Sequence, residues 1–361
     1  MNILIDIAHP AHVHVTRNVY FELTDKGHNV YVTVKNIPSA IQLLEIYKIP
    51  YIYLGGKKDS LRGKAVLQLK YNIQIWWLVI TKRINVAFST SITPPHISRI
   101  TGMHSILFDD DDDEVEPLFV KWGHPFADVV LSPACAIRST TKMIPYKGYH
   151  ELAYLHPNRF TPDPSVLSEI GVKQGETYFI LRFNAFKAHH DVGVQGLSIE
   201  NKRKLIKVLE KKGKVFITTE HNIDNEFKKY QLSISPEKAH SLIYYATMLI
   251  GDSQTMTSEA AVLGTPAIRS NTFVGRISYL EEEEHKYNLT YGFLPTDSDA
   301  MFIKIEELLA MVDLKSVWRE RRVKMLQDKI DVSAFFVWFI ENFPESAKIM
   351  KANPDYQSVF K

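Results

Sequence analysis

The feature that most constrains this chain is a rhythm set in its first 34 residues that starts again near residue 178. Residues 3–7 (Ile-Leu-Ile-Asp-Ile) form an apolar run of buried-strand length, the loop Ala8-His9-Pro10-Ala11-His12 follows, and Val15, Val19 and Leu23 then recur every fourth residue as one helical face. Gly27 after Lys26 stops that helix, with a glycine just past its end and a cation in its last turn. Residues 29–34 alternate as the next strand. Strand, helix, strand in this order predicts a parallel sheet with a right-handed crossover. The same grammar predicts strands at 86–89, 105–108 and 128–131 and a helix over 96–101.

A tyrosine-, histidine- and proline-rich stretch at 146–164 breaks the pattern and is the expected crossing between two domains. Beyond it the rhythm predicts a strand at 178–181, a helix over 199–212 closed by Gly213, and a strand at 214–218. A helix near 236–246, a strand at 248–250, a helix ending at Leu263 and a strand at 266–268 complete the second set. A length of 361 residues exceeds one ordinary core. The expected fold class is therefore α/β: a Rossmann-like domain over 1–160, a second over 161–335, and a helical, aromatic tail over 336–361 that packs back on the body.

Composition narrows the partners. A formal net charge of +2 supplies no basic stripe, so no nucleic-acid partner is expected. The single Cys135 excludes an internal disulfide framework and a multi-cysteine zinc site, and fits a reducing cytoplasm. No secretory leader is visible, because Met1-Asn2 runs directly into an apolar segment that contains Asp6. The longest greasy run, residues 75–80, is far shorter than the ~20 residues a membrane span needs. It lies between Lys64 and Arg83 and carries two tryptophans, so a membrane-surface helix is the alternative to the preferred packed domain helix. The expected location is cytoplasmic, with peripheral contact at the inner membrane face as the variant.

In open α/β sheets ligands bind where strand ends lead into helix N-termini. The loop Gly251-Asp252-Ser253-Gln254-Thr255 has that context, and its free N–H groups, helix dipole and hydroxyls suit a phosphate. Glu259 follows inside the first helical turns. A capping box would need Ser or Thr three residues earlier, where Met256 stands. A carboxylate here repels phosphate but can accept two hydrogen bonds from a ribose diol, so the spacing favours a nucleotide.

These residues resemble the nucleotide-binding segment of the GT-B superfamily, with hydrolysing UDP-N-acetylglucosamine 2-epimerases and related bacterial glycosyltransferases as the nearest pattern. The shared elements are the strand into Asp252-Ser253, then Glu259-Ala260, then Leu263-Gly264-Thr265-Pro266. The resemblance implies two Rossmann-like domains facing across a cleft, a diphosphate held by Ser253, Gln254 and Thr255, and ribose hydroxyls held by Glu259. The chain departs from the pattern at Gln254-Thr255, where family members usually carry Gly-Gly. His12, with His9 nearby, is similar to the histidine that ends the Gly-rich N-terminal loop of lipid II-forming N-acetylglucosaminyltransferases. The absence of a G-x-G-x-x-G pattern there argues against a dinucleotide. Over nearly its whole length the chain also resembles the DUF354 family, through residues 148–155, Leu181-Arg182-Phe183 and the Asp252 segment.

Four further candidates complete the expectation. Arg182 ends a strand, where a guanidinium can grip a diphosphate through paired hydrogen bonds. By the resemblance to the epimerases, His221 would be the counterpart of a histidine that works near the sugar. Asp109 and Asp110 open the acidic run 109–113, in which neighbouring carboxylates raise one another's pKa and can yield a base. At 89–91 the epimerases carry a catalytic aspartate where this chain has Ser-Thr-Ser. The leading expectation is a glycosyltransferase using a UDP-sugar donor and a saccharide or lipid-linked acceptor in surface polysaccharide or glycolipid synthesis. It requires no metal and no cofactor. His12, Asp109, Asp110 and His221 are the catalytic candidates, and Arg182, Ser253, Gln254, Thr255, Glu259 and His9 the binding candidates. A hydrolysing 2-epimerase and a non-catalytic nucleotide-sugar-binding protein are the alternatives; the oligomeric state is open.

Overall fold

A computed structural model describes residues 1–56, 61–183, 196–219 and 223–361, the side chains at 61, 62, 64 and 65 excepted. The chain divides into two compact units, one of Met1–Arg159 with Lys329–Lys361 and one of Phe160–Asp328. In the first unit the strands are β1 (Asn2–Ile7), β2 (Asn29–Lys35), β3 (Ile52–Gly55), β4 (Val86–Ser89), β5 (His104–Phe108), β6 (Val129–Pro133) and β7 (Met143–Tyr146). They form one parallel sheet in the order β3-β2-β1-β4-β5-β6-β7. The order reverses between β1 and β4, and the crevice outside the carboxyl ends of two such strands is where an open α/β sheet takes its ligand. β1 lies inside the sheet, which is why Ile3, Leu4, Ile5 and Ile7 are all buried.

The helix Pro10–Asp25 starts one residue after His9 and places Pro10 in its first turn, where a missing N–H costs nothing. Its Val13, Val15, Val19 and Leu23 face the core. The helix Val332–Glu341 returns to the same unit and packs beside it. Arg159 anchors that return: its Nε donates to Asp331 Oδ2 at 2.7 Å and its guanidinium also pairs with Glu22. Asp331 in turn caps the helix by accepting from the Ala334 amide at 3.1 Å. The helix Leu61–Lys82 packs Tyr71, Ile75, Leu78 and Val79 against Leu4, Leu54, Ala87 and Met103.

The second unit contains β8 (Tyr178–Arg182), β9 (Lys214–Thr218), β10 (Met248–Gly251), β11 (Ala267–Ser270) and β12 (Thr290–Phe293). Its sheet is also parallel, in the order β12-β11-β10-β8-β9, so its switch point lies between β8 and β10. Gly251 pairs with Arg182 across that point, and a Cβ at 251 would stand 2.1 Å from the Arg182 carbonyl oxygen. Only glycine fits there.

Two helix starts differ from the sequence expectation for local reasons. The helix predicted over 96–101 runs over Thr93–Ser98, since Pro94 and Pro95 are well suited to a first helical turn. The helix predicted near 236–246 opens as a 3-10 turn, Pro236–Lys238, before Ala239–Tyr245. Among the described residues no helix is long and apolar enough to cross a membrane.

Candidate functional site

In the first unit, polar and ionisable side chains gather at the carboxyl ends of β1, β2, β4 and β5. His9 caps the helix Pro10–Asp25 by accepting from the Ala11 amide at 3.2 Å, and its ring lies 5.7 Å from that of His12. His12 sits on the switch point. The Ala8 amide donates to its Nδ1 at 3.4 Å, and the Thr90 hydroxyl from the β4 end lies 2.7 Å from the same nitrogen. The same hydroxyl lies 3.2 Å from Nε2, so Thr90 reaches both ring nitrogens. Burial pushes the His12 pKa well below the ordinary imidazole value, and the neighbouring His9 and His150 reinforce the shift against the opposing pull of Asp110. The imidazole is neutral at pH 7, the state a proton acceptor needs.

Asp6, at the end of β1, is buried. One of its oxygens accepts from the Thr33 hydroxyl at 2.6 Å and the other, Oδ2, has no partner among the described residues. Lys35, at the end of β2, places its ammonium 3.5 Å from the Ser91 hydroxyl and 5.1 Å from the centre of the Tyr71 ring. The edge thus combines a neutral base, a carboxylate, a cation and the hydroxyls of Thr33, Thr90 and Ser91. Such a set can orient polyhydroxylated molecules.

The structure separates the five aspartates that follow β5. Asp109 is buried, with Oδ2 2.8 Å from His124 Nε2 and 3.0 Å from Arg138 Nη1. The Arg138 side chain, 1% exposed, also reaches Asp113 at 3.1 Å and the Ser132 hydroxyl at 3.0 Å. Asp112 accepts from the Ile137 amide at 2.6 Å, and Asp113 from the Ser139 amide at 2.7 Å. Those three carboxylates fasten the β5 loop to the loop after β6.

Asp110 instead meets His150, whose Nδ1 lies 3.0 Å from Asp110 Oδ2. Burial pushes the Asp110 carboxyl up, but His150 and then His12 outweigh it and hold the group below its usual range. The His150 ring packs edge-on against Phe108, and His12 flanks the same phenyl ring. Asp111 behaves oppositely: burial first, then repulsion from Asp110, Glu116 and Asp109, pushes its pKa well above the ordinary carboxylate value.

In the second unit the loop after β10 opens the helix Gln254–Leu263. Ser253 is its N-cap and accepts from the Met256 amide at 3.4 Å, while Thr257 donates to the Ser253 carbonyl at 2.7 Å. Gln254 and Thr255 occupy the first turn and are half-buried. Cβ atoms tilt toward a helix N-terminus, so these side chains lean to the end where an anion would sit. Arg182 ends β8 beside them, with its carbonyl oxygen accepting from the Asp252 amide at 3.1 Å. Glu259 is buried and its Oε1 lies 3.0 Å from His240 Nε2. His221 lies outside the described residues.

Sequence reading missed several of these groups. His150 lay in a stretch that looked like a crossing, and its pairing with Asp110 joins residues 40 positions apart. Lys35, Thr90 and His240 likewise belong to long-range pairings with no local signature. Arg269 is fully buried against Glu281 at 2.7 Å and is a structural cation of the second unit.

Residues 1–290 match the model of a family described as "Protein of unknown function (DUF354)". The uncharacterized protein MJ0665 of Methanocaldococcus jannaschii is 22% identical over 311 residues, covering 79% of this chain and 86% of its own length. Among solved structures, the spinosyn forosaminyltransferase SpnP superposes with a TM-score of 0.64 at 13% identity, over 91% of this chain and 95% of that one. The spinosyn rhamnosyltransferase SpnG complexed with thymidine diphosphate gives 0.63 at 11% identity, over 94% and 100%. The UDP-GlcNAc 2-epimerase from Neisseria meningitidis bound to UDP-GlcNAc gives 0.59 at 10% identity, over 91% and 100%. At these identities the likeness is one of fold, and the fold is GT-B type with two Rossmann-like units.

Proposed function

The chain belongs to the DUF354 family, and from that membership and its GT-B fold we propose that it is a glycosyltransferase taking a nucleotide-sugar donor, UDP-linked, and building a surface polysaccharide or glycolipid. The observation that carries the reading is His12: a neutral imidazole at the first sheet's switch point, within hydrogen-bond reach of the Thr90 hydroxyl. The helix N-terminus at Ser253, on the second sheet's switch point, supplies the complementary chemistry for a leaving diphosphate.

In the proposed reaction an acceptor hydroxyl attacks the anomeric carbon of the donor. The new C–O bond forms as the bond from that carbon to the diphosphate oxygen breaks, and the diphosphate leaves with the electron pair. The acceptor proton passes to His12, and the Thr90 hydroxyl lies within 3.2 Å of both ring nitrogens. Asp110 carries a negative charge near the resulting imidazolium and favours it. Ser253, Gln254, Thr255 and Arg182 hold the diphosphate, and Glu259, oriented by His240, receives the ribose hydroxyls. Asp109 has no part in this scheme, since its carboxylate is already engaged by His124 and Arg138.

Calorimetric titration with UDP, GDP and CMP tests the donor half: saturable heat with UDP is expected, and no response to any nucleotide overturns the reading. Incubation with UDP-N-acetylglucosamine alone tests the reaction type. An unchanged donor in the absence of acceptor is expected, whereas free N-acetylmannosamine with UDP makes the protein a hydrolysing epimerase.

A further inference from the structure

The helix Leu61–Lys82 is apolar on two opposite faces. At 100° per residue Tyr71, Ile75, Leu78 and Val79 fall on one side, and they pack into the core of the first unit. Val66, Leu69, Ile73, Trp76, Trp77 and Ile80 fall within a ~100° arc on the other side. All six are exposed, with Val66 at 64%, Leu69 at 62% and Trp77 at 62%. The stripe runs ~20 Å along the axis at ~1.5 Å per residue. A helix that is apolar all round is normally buried all round, and large contiguous apolar patches on a protein surface mark interaction sites.

The charges nearby identify the occupant. Between Leu61 and Arg83 the sequence contains no aspartate or glutamate, whereas Lys70 borders the stripe and Lys82 and Arg83 close the helix, all three exposed. An apolar face carrying two tryptophans, on a helix whose only charged residues are cations, is complementary to an anionic bilayer surface: the side chains enter the acyl boundary and the exposed cations meet the headgroups. A twofold contact with a second copy would instead bring the two sets of cations together with no acid on either helix to offset them. The helix does not qualify as a span, so it would lie in the membrane plane.

We propose that the exposed face of the helix Leu61–Lys82 docks the protein onto anionic lipid bilayers. The proposal stands on this helix alone and does not depend on the glycosyltransferase reading. It is tested by co-sedimentation of the full-length protein with vesicles of phosphatidylcholine alone and of phosphatidylcholine with 30% phosphatidylglycerol, together with the double variant Leu69→Glu/Trp77→Glu. Both substituted positions face solvent, so the variant should keep its melting temperature.

The expected result is binding to the phosphatidylglycerol vesicles that weakens as salt rises, and a loss of roughly tenfold or more in the variant. No sedimentation with either vesicle overturns the proposal, as does equal binding by wild type and variant. A wild-type dimer that the double variant converts to monomer, without vesicle binding, assigns the face to a second copy and also overturns it.

Discussion

Replacing Arg138 with methionine asks which of the five consecutive aspartates hold the fold and which remain available for chemistry. The substitution keeps much of the apolar stem and removes the guanidinium, which lies 3.0 Å from Asp109 and 3.1 Å from Asp113 with a third bond to Ser132. Asp109 is 5% exposed and is left with His124 as its only partner from that cluster. Breaking a buried ion pair from one side costs about 3–5 kcal/mol, and the retained His124 contact puts the expectation near the lower figure. For a unit of this size that corresponds to a fall of ~6–12 °C in melting temperature, readable by scanning calorimetry.

The control series sharpens the assignment. Asp109→Asn combined with Arg138→Met should cost less than the two single changes added together, because the second change removes the charge that the first one strands. Asp111→Asn should leave stability unchanged or raise it at pH 7, since burial and its acidic neighbours disfavour the Asp111 charge. A drop below ~2 °C for Arg138→Met, or full additivity in the double variant, would refute the division of the run into structural and functional members.

His12→Ala should lower the turnover rate by ~10²–10⁴-fold while leaving UDP affinity in calorimetry unchanged, because general-base catalysis is worth about that much; equal losses in both readouts would contradict a base role. The acidic limb of the turnover profile should lie below pH 6.5, since burial depresses the His12 pKa. By the same shift, the folded state resists protonation at His12, so its stability is fullest above pH 6.5 and declines as pH falls toward the depressed value, which melting curves across that window can check. Ser253→Ala should cost about 1 kcal/mol through the lost helix cap and also weaken UDP binding, whereas a stability change without an affinity change would separate the cap from the ligand site. Gly251→Ala should leave little folded protein on expression, because its Cβ would meet the Arg182 carbonyl at 2.1 Å; a soluble variant with wild-type melting would contradict that packing.

What could be read from the sequence follows the range of the interactions involved. The buried strands β1, β4, β8 and β10 are near-continuous apolar runs, and the 3.6-residue face of the helix Pro10–Asp25 is equally local, so both sheets were visible in outline. β3, β7 and β12 were not predicted. β3 and β12 are edge strands in which Tyr53 and Phe293 keep solvent contact, and β7 contains Pro145, so none has the signature of a buried run. The segment 109–113 reads as one acidic tract, yet its members differ because Arg138, His124, His150 and Ser139 arrive from elsewhere in the fold. Local spacing supplied the hydroxyl-rich loop into the helix and the position of Glu259, but not the N-cap role of Ser253. It could not supply His240, 19 residues away on another helix, which orients that carboxylate.

The departure at Gln254-Thr255 is the point where resemblance and structure bear on each other most directly. A glycine pair at the head of a phosphate-binding helix gives the ligand room to approach bare backbone amides. Here the tight backbone approach occurs three residues earlier, at Gly251, where β10 passes the Arg182 carbonyl. Residues 254 and 255 already lie inside the helix, in a conformation that any side chain adopts. Glycine is therefore not required there for backbone reasons. What replaces it is a pair of polar side chains leaning toward the helix N-terminus, with a hydroxyl at Thr255 and an amide at Gln254 as added donors. On the proposed reading, the departure trades open space for hydrogen-bonding capacity toward the diphosphate at the helix end.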